Sequence, residues 1–140
     1  MKARFQIFVI LTFALLVSAC KTTSYKSNSP EAVATKFMKH LGAWEFDEAR
    51  KLGTYNTNKY LDLLQTLIEL SKEKGQEGVL EKKEINIKII DTKRDGNTAV
   101  VSYMSEDGSV QTLNLVKEKG KWLVDMKKEI PLNGSLNGGG

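Results

Sequence analysis

The pattern of apolar and polar positions changes character near residue 84. Before that point, apolar residues recur every three or four positions, which is typical of amphipathic helices. After it, apolar and polar residues alternate and turn residues recur at short intervals, which is typical of antiparallel strands. The sequence therefore predicts an α+β fold in which about three N-terminal helices pack on a curved, four-stranded antiparallel meander.

Three helices fit the first part of the chain. Ser29 can cap the first helix, Pro30 suits its first position and Gly42 ends it. The second helix is predicted at residues 46–52, and the third from residue 57 or 58 to residue 74. The third helix has the widest apolar stripe, which comprises Tyr60, Leu61, Leu63, Leu64, Leu67, Ile68 and Leu70.

Four strands fit the part of the chain after Glu84. Glycine-containing turns separate them at residues 95–97, 107–108 and 119–120. We expect one face of the sheet to be buried, and that face carries Ile85, Ile87, Ile89, Ala99, Val101, Tyr103, Leu113, Leu115, Trp122, Val124 and Met126. Asp125 alternates with this face and is therefore expected in solvent.

The first 20 residues form a separate segment. Lys2 and Arg4 precede an apolar stretch of about 13 residues, and the segment ends in Val17-Ser18-Ala19-Cys20. A helix of that length covers roughly 20 Å, whereas a stable transmembrane helix must cross roughly 30 Å of hydrocarbon. The stretch is therefore predicted to be a cleaved secretion signal.

The four residues Val17, Ser18, Ala19 and Cys20 resemble the lipobox of bacterial lipoproteins, in which a branched apolar residue and two small residues precede an invariant cysteine. The resemblance implies cleavage between Ala19 and Cys20 after diacylglycerol has joined the Cys20 thiol. The alternative is an ordinary signal peptide cut at the same bond, which would leave a free thiol. Residue 21 is Lys rather than the Asp that retains such proteins in the inner membrane. We therefore expect a lipid-anchored envelope protein in the outer membrane, facing the periplasm.

The chain that follows the signal has the size and composition of one folded domain. Removal of 19 of the 140 residues leaves 121, which suits a single core. Residues 20–28 are polar and are predicted to be a flexible tether, residues 29–130 the domain, and the glycine-rich residues 131–140 a disordered tail. Without Lys2 and Arg4 the 21 basic residues fall to 19, against 17 acidic ones. Because these charges are interleaved, we expect no nucleic acid as partner.

The order of three helices and a four-stranded meander resembles the cone-shaped superfamily named for nuclear transport factor 2. More narrowly, residues 29–52, with Phe37, Leu41, Phe46 and Ala49, resemble small bacterial lipoproteins with a lumazine-binding-like domain of unknown function. Those proteins commonly carry Gly-Asp where this chain has Trp44-Glu45. The resemblance implies a curved sheet that wraps the long helix and can leave a ligand pocket at the open end of the cone.

Candidate chemistry is sparse. His40, the only histidine, is expected to be a partly exposed residue favoured by the helix C-terminus. Some cone-fold enzymes combine an Asp or His base with a Tyr, but Asp47, Asp125, Tyr60 and Tyr103 match no motif. If the domain has a pocket, we expect its lining among Trp44, Tyr55, Tyr60, Tyr103, Trp122 and Met126, for which core packing is the alternative.

The sequence therefore predicts a membrane-anchored envelope lipoprotein whose domain binds a small molecule or another envelope protein without catalysis, cofactor or metal. One alternative is a small cone-fold hydrolase or isomerase, which needs a buried acid close to a Tyr in a polar pocket. A second alternative is a structural or assembly subunit, which predicts an exposed apolar patch on the sheet and dimers in solution.

Overall fold

The structure is a computed structural model that describes residues 26–75 and 81–126. The predicted signal, Cys20, most of the tether and the predicted tail lie outside these residues. The elements are α1 (Pro30–Gly42), α2 (Phe46–Arg50), α3 (Tyr55–Glu73), β1 (Lys88–Asp95), β2 (Thr98–Met104), β3 (Val110–Glu118) and β4 (Lys121–Val124). The predicted α+β fold of three helices and a four-stranded antiparallel meander is confirmed. None of the helices in the described part is both long and apolar enough to cross a membrane.

Helix α1 begins as predicted and ends for a different reason. The hydroxyl of Ser29 accepts a hydrogen bond from the N–H of Ala32 at 3.2 Å, and Pro30 is the first helical residue. Gly42 is the last helical residue, but it does not adopt the left-handed conformation of a glycine stop. A Cβ at Gly42 would lie 2.2 Å from the carbonyl oxygen of Lys83, so glycine allows the incoming chain to pass close to the helix end.

The chain contacts the domain at a residue earlier in the sequence than predicted. The side chain of Asn28 donates a hydrogen bond to the carbonyl of Gly120 at 3.0 Å and accepts one from the N–H of Trp122 at 3.4 Å. These two bonds hold residue 28 against the β3–β4 turn. Asn28, which was predicted to belong to the tether, is therefore part of the domain.

Helices α2 and α3 differ in length from the prediction. Helix α2 ends at Arg50 rather than at residue 52. Helix α3 begins at Tyr55, two or three residues early, because the hydroxyl of Thr54 caps it by accepting a hydrogen bond from the N–H of Thr57 at 3.3 Å. Gly75, with φ of 67°, follows the helix end as predicted.

The sheet has strand order β1-β2-β3-β4 with every neighbouring pair antiparallel. Strand β1 begins at Lys88, so Ile85 and Ile87 precede the strand instead of forming its start. The register between β1 and β2 shifts between Ile89 and Asp91, which marks a bulge. The simple alternation predicted for this strand therefore holds for only part of its length.

The core lies between α1 and the inner face of the sheet. Helix α1 contacts all four strands. The predicted inner face of β2, β3 and β4 is confirmed, since the buried residues of these strands are Ala99, Val101, Tyr103, Leu113, Leu115, Trp122 and Val124. Helix α1 contributes Val33, Ala34 and Phe37 to this core, and α2 and α3 contribute Phe46, Ala49, Leu61 and Ile68.

An ion pair fixes the first turn of α1 to the sheet edge. The buried carboxylate of Glu31 accepts hydrogen bonds to both oxygens from one Nη of Arg94 in β1, at 2.9 and 2.8 Å. Burial is the largest single influence and would raise the pKa of Glu31. The bonds from Arg94, together with smaller contributions from neighbouring hydrogen-bond donors, outweigh it and hold the pKa below its ordinary value. Glu31 is therefore ionised at neutral pH.

The end of β4 is joined to the first turn of α3. The hydroxyl of Thr57 donates to the carbonyl of Val124 at 2.7 Å and accepts from the N–H of Met126 at 2.8 Å. The hydroxyl of Thr54 donates to Asp125 at 2.9 Å. Asp125, which was expected in solvent, is therefore half-buried and hydrogen-bonded, because the strand ends at Val124 and the alternation does not continue past it.

Candidate functional site

The turn between α1 and α2 has an unusual backbone. Trp44 has φ of 57°, its N–H donates to the carbonyl of Leu41 at 3.1 Å, and the N–H of Glu45 donates to the carbonyl of His40 at 2.9 Å. These two bonds are those of a Schellman motif, whose left-handed position glycine usually occupies because it has no Cβ. Trp44 takes that position at a conformational cost, and it is also where the resembling lipoproteins carry glycine.

Trp44 lines an open cleft of about 370 Å³. This volume is within the range of small-molecule sites. Most of the lining comes from the turn and the first residues of α2, and α3 supplies one side chain. The lining residues are Trp44, Glu45, Phe46, Asp47, Glu48 and Gln65.

The three carboxylates of the cleft each have a basic partner, which lies at the end of α1 for one of them and on or beside α2 for the other two. The pairs are Glu45 with Nδ1 of His40 at 2.5 Å, Asp47 with Arg50 at 2.8 Å, and Glu48 with Lys51 at 2.6 Å. The hydrogen bond from Lys51, together with its positive charge, lowers the pKa of the exposed Glu48. A general acid at neutral pH needs a raised pKa instead. Glu48 is therefore suited to binding a positive group rather than to donating a proton.

Arg50 joins the two helices that form the cleft. Its guanidinium donates to Asp62 at 3.1 and 2.7 Å and to the side-chain oxygen of Gln65 at 2.8 Å, in addition to Asp47. The fork of donors on an arginine allows it to hold several acceptors in a fixed arrangement. Arg50 thus orients two residues of the cleft lining, Asp47 and Gln65.

The indole of Trp44 has a cationic neighbour on α3. The ammonium group of Lys72 lies 5.2 Å from the centroid of the Trp44 ring, which is the geometry of a cation–π contact. Such a contact holds the ring against α3. One face of the indole is therefore engaged by a positive charge that the protein itself supplies.

The structure does not bring the predicted pocket residues together. Trp44 lines the cleft, whereas Tyr60 is exposed on α3. Tyr103 and Trp122 are buried in the core, which is the alternative stated for them, and Met126 is half-buried beside it. The cleft therefore lies at the helix turn and not at the mouth of the sheet, where the family resemblance placed a pocket.

Five of the six lining residues were not predicted from the sequence to line a pocket. The acidic residues on either side of Phe46 mark the start of a helix in the sequence. The same acidic residues are the signal that could have indicated carboxylates at the edge of the cleft. Gln65 gave no signal, because its place in the cleft depends on how α3 packs on α2 and on the hydrogen bond from Arg50.

The candidate acid–base residues are held apart by their own contacts. Asp47 pairs with Arg50, and Asp125 accepts from Thr54. The hydroxyl of Tyr103 donates to the side-chain oxygen of Gln111 at 3.2 Å, and burial raises the pKa of Tyr103. Across residues 26–75 and 81–126, the hydrogen bonds join none of these acids to a tyrosine.

His40 lies near the end of α1 and is partly exposed, as expected. Its bond to Glu45 was not predicted, and it spans the turn that carries Trp44. Within the described ranges, no group of three or more His, Cys, Asp or Glu side chains is arranged to hold a metal ion.

No protein-family model matches this chain, and no curated protein is significantly similar to it. Among solved structures, it is similar to a crystal structure from Campylobacter jejuni that is described as a candidate NTF2-like transpeptidase. The two share 19% sequence identity with a TM-score of 0.46, over 71% of this chain and 99% of the other. This likeness is too distant to assign a family or an activity.

Proposed function

We propose that the protein is a lipid-anchored envelope protein of the outer membrane whose domain binds a small molecule or another envelope protein without catalysing a reaction. The observation that carries the anchor is the run Val17-Ser18-Ala19-Cys20 at the end of a basic and then apolar N-terminal segment. Two or three acyl chains on Cys20 would exceed the marginal binding of a single chain and make attachment stable.

A lipid on Cys20 would fix the distance between the domain and the membrane. Asn28 is bonded to the β3–β4 turn, so only residues 21–27 separate Cys20 from a docked residue. Seven residues span at most about 25 Å when fully extended. The domain would therefore lie close to the membrane, with the Asn28 end of the sheet nearest to it.

The contacts of the cleft support binding over catalysis. Its carboxylates are paired with basic groups, and hydrogen bonding keeps the pKa of Glu48 low. A half-buried aromatic ring beside carboxylates is suited to recognition of a neutral or positively charged partner. We propose the lumazine-binding-like lipoproteins of the nuclear-transport-factor-2-like superfamily as the family, on the residues that carry the resemblance.

The anchor is tested by Cys20→Ser in the full chain, followed by membrane fractionation and mass spectrometry of the processed protein. We expect the variant to leave the membrane fraction and to lose the mass of the acyl groups. The matched control is Ser18→Ala, which keeps a small residue in the motif and is expected to fractionate like the unchanged chain. A Cys20→Ser chain that stays membrane-bound and is cut at the same bond would contradict the proposal.

A further inference from the structure

Helix α3 has a second apolar stripe that faces away from the core. Its members are 44–55% exposed and are spaced by three, four and three residues: Tyr60, Leu63, Leu67 and Leu70. This spacing is that of the a and d positions of a heptad, the pattern with which two helices pack side by side. Single exposed leucines are common on protein surfaces, but four apolar residues at this spacing form a continuous stripe.

The stripe is distinct from the side of α3 that packs on the domain. The buried and half-buried positions of the helix are Thr57, Leu61, Leu64 and Ile68. At 3.6 residues per turn, the centre of this set lies roughly 110° around the helix from the centre of the exposed stripe. A helix that packs on one side needs only one apolar stripe. The second stripe therefore has no role in the packing of the described domain.

Two charges flank the stripe at equivalent heptad positions. Lys59 precedes Tyr60 and Glu73 follows Leu70 by three residues, so both occupy g positions on the same side, and both are exposed. The ammonium of Lys59 also lies over the ring of Tyr55, 4.5 Å from its centroid. The two charges are opposite in sign and lie near opposite ends of the stripe.

These positions favour one arrangement of two α3 helices. In an antiparallel pair related by a two-fold axis, the g positions face each other, so Lys59 of each copy meets Glu73 of the other. Tyr60 then meets Leu70, and Leu63 meets Leu67. In a parallel pair, g positions face e positions instead, and Lys59 would meet the apolar Leu64. Charge complementarity therefore selects the antiparallel pair.

We propose that α3 is a self-association surface, on which a second copy of this chain packs its own α3 in antiparallel orientation. A seam of four side chains per copy is small beside the 1,200–2,000 Å² that typical stable interfaces bury, roughly. The dimer is accordingly weak, with a Kd in about the micromolar range or above. The proposal goes beyond the proposed function and does not depend on the lipid anchor.

The arrangement is tested by cross-linking of single cysteines in the full chain. The two-fold axis passes near residue 66, so Thr66→Cys is expected to give a cross-linked dimer with a short bismaleimide. Glu69→Cys, on the polar side of the same helix, is the matched control, and Thr112→Cys reports pairing through the outer face of the sheet. The unchanged chain controls for Cys20, which would itself cross-link if it were a free thiol.

The charges are tested by sedimentation of residues 21–140, which retain every described residue. Lys59→Glu or Glu73→Lys alone places like charges together twice, and each is expected to weaken the dimer about tenfold or more. The double variant with both changes restores opposite charges and is expected to bind within about threefold of the unchanged chain. Circular dichroism checks that all three variants fold.

Three outcomes would overturn the proposal. The first is a protein that stays monomeric up to about millimolar concentration, beyond the range set by the small seam. The second is cross-linking from Thr112→Cys but not from Thr66→Cys, which would place the contact on the sheet. The third is a double charge variant that dimerises no better than the single ones, which would exclude the antiparallel register.

Discussion

Helices α1 and α3 carry the same kind of amphipathic pattern but have different surroundings. Helix α1 crosses the sheet, and Val33, Ala34 and Phe37 are buried there. Helix α3 packs against α2 and touches β4 through Thr57, while its second stripe stays exposed. Helical periodicity therefore identifies the faces of a helix that can be buried. The neighbouring elements determine which of those faces is buried in the fold.

The largest expected effect is in the core of α1. Phe37 is fully buried, so Phe37→Ala removes a large apolar group and leaves a cavity, which should lower the free energy of unfolding by about 3–5 kcal/mol. Leu63→Ala on the exposed stripe of α3 should change it by less than about 0.5 kcal/mol. Urea denaturation at low protein concentration, where any dimer dissociates, measures both. Similar losses for the two variants would show that the stripe is covered.

Thr57 connects α3 to the sheet and should give the next largest effect. Thr57→Val keeps the volume but removes the hydroxyl that bonds both the carbonyl of Val124 and the N–H of Met126. This leaves the N–H of Met126 without a hydrogen bond, while the carbonyl of Val124 keeps only the bond from the N–H of Thr54. We therefore expect a loss of about 1–3 kcal/mol in the same denaturation assay.

The control for this variant is on the same helix. Thr66 is exposed, and its hydroxyl bonds only the carbonyl of Asp62 one turn earlier. Thr66→Val should therefore change the free energy of unfolding by less than about 0.5 kcal/mol. An equal effect at both positions would mean that the link from Thr57 to β4 contributes nothing beyond helix propensity.

The attachment of α1 to β1 should be sensitive to acid. Because the folded pKa of Glu31 is below its ordinary value of 4.5, ionised Glu31 stabilises the fold above that pH, and this stabilisation is lost as the pH falls through the folded pKa. Glu31→Gln removes the titrating group. Unfolding measured from pH 7 down to pH 3 should show a steeper loss of stability for the unchanged chain than for the variant.

A parallel pH profile for Glu48→Gln provides the comparison. The pKa of Glu48 is also lowered, by Lys51, but this pair is on the surface, where ion pairs contribute little and salt screens them. The slope of unfolding free energy against pH should therefore change less for Glu48→Gln than for Glu31→Gln. Added salt should remove the difference between Glu48→Gln and the unchanged chain. If Glu48→Gln altered this slope more than Glu31→Gln does, the ion pair between Glu31 and Arg94 would not form.

The features that the sequence predicted are those with local causes. The Ser29 cap, the glycine turns and the inner faces of β2, β3 and β4 depend on residues within a few positions of one another. The features that it did not predict depend on distant contacts. Asp125 is half-buried because it accepts from the hydroxyl of Thr54, 71 positions away in the chain, and Gly42 is required by the passage of Lys83.

The candidate site shows the same division. Trp44 was selected as an aromatic residue, but its left-handed backbone could not be read from a residue type that rarely adopts it. The remaining lining follows from the packing of α3 on α2 through Arg50, which joins residues 12 and 15 positions apart. Neither spacing forms a recognisable pattern in a sequence, so the cleft was not predicted.

The smallest expected effect is at the turn between α1 and α2, where the strain at Trp44 can be separated from the role of its ring. Trp44→Ala removes the indole and keeps the Cβ, whereas Trp44→Gly removes both. Since a left-handed residue with a Cβ costs about 1 kcal/mol or slightly more, the glycine variant should be the more stable of the two by about that amount. Chemical denaturation of the two variants side by side gives the difference directly.

The neighbouring residue supplies the control of opposite sign. Ala43 has φ of −77°, so Ala43→Gly relieves no strain and should lower the free energy of unfolding by about 0.5–1 kcal/mol. If Trp44→Gly were no more stable than Trp44→Ala, the left-handed geometry of the turn would be wrong. If it is more stable, the left-handed backbone of this position is costly for any residue with a Cβ. The retained indole is then accounted for by its packing against the core, its contact with Lys72 or its place in the cleft.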